Sequence, residues 1–162
     1  MSTIPGSAQK NQILAALPDD VYQRLLPHLE AVDLTNGKVL YEIDEVIEYL
    51  YFPYDAMISL VTQMADGKIV EVGLVGNDGM SGIGSLMGQN KSYERAIVQI
   101  PNGGARISVE VMRKEFEADE EEAKRIILES QARDDAFRQD RQKMAASRHA
   151  DSRPTSGKLR AR

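Results

Sequence analysis

The chain of 162 residues contains no cysteine and only two histidines. Without cysteine it can form no disulfide, no iron–sulfur cluster and no thiolate-ligated haem, which fits the reducing cytoplasm. His28 and His149 lie far apart in the sequence, so the chain cannot supply the three histidines that a metal-dependent cupin-like enzyme requires. We therefore predict no metal site and no cofactor, and we place His28 on the surface at the end of a helix.

Long apolar runs are also missing. No stretch approaches the ~20 residues that a helix needs to cross a bilayer, and the polar N-terminus does not resemble a signal peptide. Nucleophilic catalysis has no basis, because no Ser-His-Asp or Cys-His arrangement is available. The acidic run 115–122 is typical of the solvated first turn of a helix rather than of a metal site. The sequence predicts a cytoplasmic protein that is neither membrane-bound nor an enzyme.

Acidic residues outnumber basic residues in the body of the chain, and the reverse holds in the C-terminal tail. The net charge is −5, and the tail from Ala145 to Arg162 holds five basic residues against one acidic residue, so residues 1–144 carry −9. An acidic body is a poor electrostatic match for DNA phosphates, and a basic tail alone gives only salt-sensitive, non-specific contact. We predict no sequence-specific DNA binding by this chain alone.

Short β-branched or aromatic runs, separated by turn residues, fill the middle of the chain. The predicted strands are Ala31–Leu34, Lys38–Ile43, Tyr49–Phe52, Met57–Gln63, Lys68–Val75, Arg95–Ile100 and Ala105–Ile107. Asp66-Gly67 predicts a hairpin with a type I′ turn, and Pro101–Gly104 predicts a turn. Many short strands at even spacing indicate an antiparallel sandwich or barrel. The strand residues predicted to lie in the core are Val39, Tyr41, Ile58, Leu60, Ile69, Val72 and Ile97.

Helical segments flank these strands. Ser7–Leu17 and Asp19–Leu29 have apolar residues at helical spacing, and Ser108 is a suitable N-cap for a further helix. The predicted division of the chain is a flexible N-terminus at 1–10, a β domain at 11–116, a long helix at 117–147 and a disordered basic tail at 148–162. The fold class predicted from the residues is thus mainly β, an antiparallel sandwich or barrel with two N-terminal helices and a long C-terminal helix.

The order of these parts is one signal of ancestry, and a set of short segments is a second. The segments are Leu40-Tyr41-Glu42, Tyr51-Phe52-Pro53, Ile58–Val61, Asp66-Gly67, Val70–Gly73, Val75–Gly82 and Arg95–Pro101. Together they resemble the cyclic-nucleotide-binding-like effector domain of the Crp/Fnr superfamily of bacterial transcription regulators, over about residues 11–116. Members of that family continue into a winged helix-turn-helix, for which too few residues remain here. The resemblance implies that residues 11–116 form an antiparallel β-roll of jelly-roll type and that the helix at 117–147 is of the dimerisation type. It thus implies the sensor half alone, whether truncated, frameshifted or a stand-alone variant.

The resemblance also implies where a nucleotide would bind. In the family, a glycine-rich turn and an arginine hold the cyclic phosphate, and a glutamate accepts a hydrogen bond from the ribose 2′-OH. The matching turn here, Met80–Leu86, has no glutamate, and Glu94 falls at the arginine position. We expect weak or no cyclic AMP binding. Two alternatives stay open: an empty or altered pocket, or a site for an unidentified small anion if Arg95 can serve. The candidate ligand-binding residues are Gly82, Ile83, Gly84, Arg95 and Ala96.

The family's dimerisation helix is expected to give only a weak homodimer here, because polar residues interrupt its apolar seam. The candidate interface residues are Ile126, Ile127, Phe137 and Met144. The predicted function is that of a regulatory sensor domain of a Crp/Fnr-type bacterial transcription regulator, lacking its DNA-binding module and with a degenerate nucleotide pocket. The alternative is a stand-alone interaction or scaffold domain that has lost both ligand and DNA binding.

Overall fold

The computed structural model describes residues 7–117 and 121–129. In this part of the chain, seven strands form two antiparallel sheets, with strand orders β1-β7-β3 and β2-β6-β4-β5. The strands are β1 (Glu30–Leu34), β2 (Val39–Tyr41), β3 (Tyr49–Pro53), β4 (Met57–Gln63), β5 (Ile69–Val75), β6 (Arg95–Ile100) and β7 (Asn102–Ser108). The predicted antiparallel β-roll is confirmed. Pro101 alone separates β6 from β7, so the chain changes sheets at that residue.

Helices precede and follow the strands. Their bounds are a 3-10 turn at Ser7–Lys10, α1 at Gln12–Ala16, α2 at Asp19–Leu25, a second 3-10 turn at Leu26–His28, a third at Ile83–Met87 and α3 at Val109–Glu117. Residues 121–129 are also helical, and the rest of the long helix predicted for 117–147 lies outside the described residues, as does the predicted tail at 148–162. Ala8 is fully buried, so the core of the domain begins within the segment that the sequence assigned to a flexible N-terminus.

One core lies between the two sheets and is closed by the apolar faces of the helices. Its largest fully buried apolar side chains are Phe52, Leu14, Leu25, Leu34, Leu50, Ile58, Ile107, Met112, Val21, Val75 and Val98. These residues come from α1, α2, α3 and six of the seven strands, so the core joins the helices on both sides of the β-roll to both sheets. Burial of such side chains is the main source of stability in a domain of this size.

Asn11 ties the N-terminal helix to the β-roll. It is fully buried, and its Oδ1 caps α1 by accepting hydrogen bonds from the backbone N–H groups of Ile13 (3.0 Å) and Leu14 (3.4 Å). Its Nδ2 donates to the carbonyl oxygens of Pro53 (3.0 Å) and Gly79 (2.9 Å). A single buried amide therefore fixes α1 against both the end of β3 and the loop that follows β5.

Two of the predicted core residues are exposed. Val39 and Ile69 have 44% and 63% of their surface accessible, whereas Tyr41, Ile58, Leu60 and Val72 are buried as predicted. Val39 is the first residue of β2, and Ile69 is the first residue of β5. Both strands are edges of the four-stranded sheet, and a residue at the end of an edge strand has few neighbours to cover it. The prediction was wrong at these two positions.

Two turn predictions also need correction. The β4–β5 hairpin forms, but Gly67 alone takes a positive φ (87°), so the turn is not type I′. Instead the Met64 carbonyl accepts from the Gly67 N–H at 2.9 Å, and Gly67 occupies the left-handed position after the turn. The predicted turn at Pro101–Gly104 is mostly strand, because Gly103 and Gly104 pair with β1. A Cβ on Gly104 would lie 2.9 Å from the Phe52 carbonyl oxygen, so this glycine serves close packing.

Across the described residues, we find no helix that combines the length and the apolar character needed to cross a membrane.

Candidate functional site

The segment between β5 and β6, residues 76–94, forms one wall of a partly enclosed cavity of about 120 Å³. The cavity is lined by Tyr41, Ile47, Leu60, Met80, Ser81, Gly82, Ile83, Gly84, Gln89, Ser92, Tyr93 and Glu94. Pockets for drug-sized ligands begin at about 300 Å³. In this conformation the cavity accommodates only a small molecule.

Three of the five predicted ligand-binding residues, Gly82, Ile83 and Gly84, lie together in the cavity wall. Gly82 takes a left-handed conformation with φ of 90°, and a Cβ there would lie 3.0 Å from Cδ2 of Leu50. Its carbonyl accepts hydrogen bonds from the Ser85 N–H (3.1 Å) and the Ser85 hydroxyl (2.6 Å). Glycine is therefore required at position 82 both for the turn and for the close approach to β3.

The other two predicted residues lie beside the cavity. Arg95, the first residue of β6, donates a hydrogen bond from Nε to Oε1 of Glu42 at 2.6 Å. This hydrogen bond lowers the pKa of the Glu42 carboxyl below its usual value. Ala96 is fully buried and pairs with Tyr41 on one side and Leu60 on the other, both of which line the cavity. Neither Arg95 nor Ala96 is among the residues that line the cavity.

Charged residues are scarce in the described part of the cavity wall. Glu94 is the one charged residue among the described residues that line it, and no lysine, arginine or histidine accompanies it. Ser92 fixes the backbone at this point, because its hydroxyl donates to the Glu94 carbonyl (2.6 Å) and accepts from the Glu94 N–H (3.1 Å). Arg113 of α3 donates to the Ser85 carbonyl at 3.1 Å, and it too lies outside the cavity wall.

Sequence reasoning missed Ser81 as a site residue. Its N–H and carbonyl pair with the backbone of Tyr51 at 3.0 and 3.3 Å, in an antiparallel bridge that attaches the cavity wall to β3. Ser81 is 1% exposed, and its hydroxyl has no hydrogen-bond partner in the described chain. The position of Ser81 directly before the predicted Gly82 was the only signal available, and a serine next to glycine is too common to identify a site.

The remaining predicted site residues are dispersed. Within residues 7–117 and 121–129, no group of three His, Asp or Glu side chains could hold a metal ion. His28 is exposed at the end of the second 3-10 turn, as predicted. Ile126 packs partly buried against the core, and Ile127 is only 3% exposed within a single chain. Phe137 and Met144, the other candidate interface residues, lie outside the described residues.

Comparison with known proteins gives no match to a family model and no match to a curated protein. Solved structures, however, share the fold. The c-di-GMP-responsive global regulator CLP of Xanthomonas campestris matches with a TM-score of 0.66 and 17% identity, over 82% of this chain and 65% of that one. The sensor domain of the transcriptional regulator DNR from Pseudomonas aeruginosa matches with a TM-score of 0.61 and 14% identity, over 77% and 84%.

A third structure extends the likeness beyond bacteria. The regulatory subunit of a cAMP-independent protein kinase A from Trypanosoma brucei matches with a TM-score of 0.57 and 14% identity, over 70% of this chain. The chain spans 46% of the length of that subunit, and 65% of the Xanthomonas regulator. At sequence identities of 14% and 17%, these matches show a shared fold and no more. The chain has the fold of the cyclic-nucleotide-binding domains found in Crp/Fnr-type regulators and in a protein kinase A regulatory subunit.

Proposed function

We propose that this chain is a non-enzymatic regulatory sensor domain of a Crp/Fnr-type bacterial transcription regulator, in which the pocket no longer accepts a standard cyclic nucleotide. The fold shared with a bacterial sensor domain and a global regulator supports the first part. The hydrogen bond from Arg95 to Glu42 supports the loss of nucleotide binding. Arg95 is the arginine nearest in sequence to the position expected for the phosphate ligand, and Glu42 already engages it. The proposal keeps the cytoplasmic location predicted from the sequence.

A cyclic phosphate is an anion, and it needs N–H donors and a positive charge to replace its hydration. The described cavity wall offers no cationic side chain, and its one charged residue is Glu94. The cavity volume of about 120 Å³ is also small for a nucleotide. The charge and the size of the cavity therefore both argue against nucleotide binding. Binding of an unidentified small anion stays a prediction, because the anion would have to compete with Glu42 for Arg95.

A second function, the stand-alone interaction domain, is favoured by one surface feature. Met64 and Tyr93 are exposed, and both line a shallow groove between the β4–β5 hairpin and the segment that precedes β6. Exposed large apolar side chains at a groove are typical of contact surfaces between proteins.

In either function, we propose that the chain alone does not bind DNA sequence-specifically. The total net charge is −5, and residues 1–144, without the basic tail, carry −9.

Isothermal titration with cyclic AMP, cyclic GMP and cyclic di-GMP tests the proposal directly. We expect no saturable binding at micromolar concentrations. A thermal-shift assay is the second readout, because a ligand present at a hundredfold excess over its Kd would stabilise the fold by ~2.7 kcal/mol. Micromolar binding of any of the three nucleotides would contradict the proposed loss of nucleotide binding.

The variant Glu42→Gln separates the two alternatives for the pocket. It removes the carboxylate that holds Arg95 and leaves a side chain of the same size. If the wild-type protein and Glu42→Gln both fail to bind phosphate or a cyclic nucleotide, the pocket is altered in more than its arginine. If Glu42→Gln binds an anion and the double variant with Arg95→Ala does not, Arg95 is the anion ligand.

A further inference from the structure

We propose that the basic tail of this chain, residues 148–162, docks in a groove beside the loop between β2 and β3. We call this surface the acidic groove, and its wall includes Leu40, Glu45, Val46, Glu48 and Tyr49. None of these five residues lines the cavity described above. The inference therefore goes beyond the proposed function and concerns a different surface of the domain.

The acidic groove is open to solvent and has a volume of about 400 Å³. Val46 is 64% exposed, and Glu45 and Glu48 are exposed too. Among the described residues of its wall there is no lysine, arginine or histidine. The groove thus combines acidic side chains with some apolar surface. This combination suits lysine and arginine, whose carbon stems pack on apolar surface while their charged ends meet an acid.

The negative charge of the loop beside the groove is not balanced within the described chain. Glu42, Asp44, Glu45 and Glu48 all fall within seven residues, 42–48. Arg95 pairs with Glu42 at 2.6 Å, but the other three form no salt bridge with a described residue. The Glu45 carboxylate accepts a hydrogen bond from the Glu42 N–H at 2.7 Å, and this neutral donor leaves its charge in place. Three negative charges therefore remain for a cationic partner.

The cations close to the groove do not supply that balance. Arg106 lies 4.0 Å from the centre of the Tyr49 ring and donates from Nε to Oε2 of Glu30 at 2.8 Å, so its charge is already paired. Lys91 precedes Ser92, whose backbone hydrogen-bonds to the loop, but Lys91 forms no salt bridge with a described residue. Arg106 also shows that a tyrosine ring and a carboxylate hold a guanidinium at this end of the fold.

The tail carries the complementary charge. Residues 148–162 contain Asp151 and five basic residues, for a net charge of +4; the basic residues are Arg148, Arg153, Lys158, Arg160 and Arg162. Leu159 stands between two of them and offers an apolar side chain to the surface around Val46. Exposed ion pairs are individually weak, but several can act together, and a tethered segment has an effective concentration on the order of millimolar.

The length of the chain permits this contact. Eighteen residues, 130–147, connect the last described residue to the tail, and they would span about 27 Å as a helix. The fifteen residues 148–162 reach about 50 Å when extended, whereas a small domain is about 30 Å across. Even a helical connection therefore leaves the tail long enough to return to the groove. A docked tail is withdrawn from the non-specific contact with DNA phosphates that its charge would otherwise allow.

A nitroxide label on the tail tests the contact, because a chain without cysteine can be labelled at a single introduced cysteine. In full-length Thr155→Cys carrying the label, we expect the backbone amide NMR signals of Val46, Glu48 and Tyr49 to lose intensity at low salt, relative to the same sample after reduction of the nitroxide. These signals should recover at about 1 M salt, where the Debye length is about 3 Å.

Two pairs of substitutions in the labelled chain identify the surface. Glu45→Gln with Glu48→Gln should abolish the intensity loss and leave the melting temperature nearly unchanged, because both residues are exposed and glutamine has the same size. Asp33→Asn with Asp55→Asn is the matched control. It removes two exposed acidic residues that do not line the groove, and it should leave the intensity loss in place.

The inference would be overturned by no intensity loss at low salt, by a loss that persists in Glu45→Gln with Glu48→Gln, or by a loss that the control pair abolishes equally. A loss centred on the acidic residues of α3 would also overturn it. A mixture of labelled chain with unlabelled, nitrogen-15-enriched chain shows whether the tail binds its own chain. An equal loss in that mixture would place the contact between two copies and contradict the inference, whereas the nucleotide titrations test the proposed function separately.

Discussion

The Nε of Arg95 lies 2.6 Å from Oε1 of Glu42, across the antiparallel pair of β6 and β2. The two side chains are 37% and 40% exposed, so solvent screens the pair and its contribution to stability is small. Its consequence is chemical: the arginine that stands at the start of β6, next to the cavity, is already engaged by a carboxylate. An incoming anion would have to compete with Glu42 for this guanidinium.

The pairing makes Glu42 sensitive to acid. The hydrogen bond from Arg95 lowers the pKa of Glu42 from the usual value of 4.5. A group whose pKa is lower in the folded state contributes its stability above pH 4.5, and this contribution is lost as the pH falls through the lowered pKa. NMR titration of the Glu42 carboxyl carbon should show this lowered pKa, and Arg95→Ala should return it toward 4.5. An unchanged pKa in Arg95→Ala would show that the hydrogen bond is not its cause.

Gly82→Ala should destabilise the domain more than Gly88→Ala, although both glycines have φ of 90°. The left-handed conformation alone costs a non-glycine residue about 1–2 kcal/mol, and this cost applies to both variants. At Gly88 a Cβ would meet no atom within 4 Å, whereas at Gly82 it would lie 3.0 Å from Leu50 and 3.2 Å from Ile47. Overpacking of this kind adds about 1–3 kcal/mol. Urea denaturation measures both variants, and equal losses would mean that the contact with β3 is easily relieved.

Local sequence patterns predicted two of the three central strands closely. The bounds of β4 and β6 agree with the predicted Met57–Gln63 and Arg95–Ile100, and these two strands are neighbours in the middle of the four-stranded sheet. The third central strand, β7, was predicted only at Ala105–Ile107, because the turn signal at Pro101–Gly104 hid its first residues. Among the predicted core residues, Val39 and Ile69 are exposed at the ends of edge strands, and Ile97 in the central β6 is only half-buried. The surroundings of these residues depend on the order of the strands and on the distance between the two sheets. The alternation of polar and apolar residues along one strand gives no information about either.

The candidate site was likewise predicted only in part. The turn signal in the sequence identified Gly82 and Gly84, because a glycine-rich turn is a local feature. It could not reveal that Arg95 turns to Glu42, which is 53 residues away in the sequence and becomes a neighbour only when β2 pairs with β6. Nor could it reveal that Ser81 would be buried without a partner.

Asn11→Ala should be strongly destabilising for a single side chain. It removes the cap of α1, which costs about 0.5–2 kcal/mol, and it leaves the carbonyl groups of Pro53 and Gly79 without their donor. Each buried group left without a hydrogen bond costs about 1–3 kcal/mol, so we expect a total loss of about 3 kcal/mol or more. Asn102→Ala is the control, because Asn102 is exposed and accepts only from the Gly103 N–H. Chemical denaturation should show a change below about 0.5 kcal/mol for it.

A comparable loss in the two asparagine variants would contradict the role assigned to Asn11. Asn11→Asp sharpens the test, because a carboxylate keeps the acceptor for the cap of α1 but cannot donate to Pro53 and Gly79. We expect Asn11→Asp to be at least as destabilising as Asn11→Ala at neutral pH, since it places a buried negative charge beside two carbonyl oxygens.

Two copies of the chain are expected to associate weakly through the helical residues that follow α3. Ile127 is buried within its own chain, so of the apolar residues at 126–128 only Leu128, 40% exposed, and the partly buried Ile126 have surface to offer a partner. A stable two-stranded coiled coil requires a nearly continuous apolar seam, which these residues do not provide. Sedimentation at low micromolar concentration should therefore show a mixture of monomer and dimer.

The variants Leu128→Glu and Ile127→Glu separate association from folding. Leu128→Glu should shift the mixture to monomer and leave the melting temperature nearly unchanged, because its side chain is largely at the surface. Ile127→Glu should lower the melting temperature, because it buries a charge in the core of the single chain. A protein that stays fully dimeric at nanomolar concentration, with or without Leu128→Glu, would show that another face makes the interface. The exposed Met64 and Tyr93 at the groove beside the β4–β5 hairpin would then be the first positions to mutate.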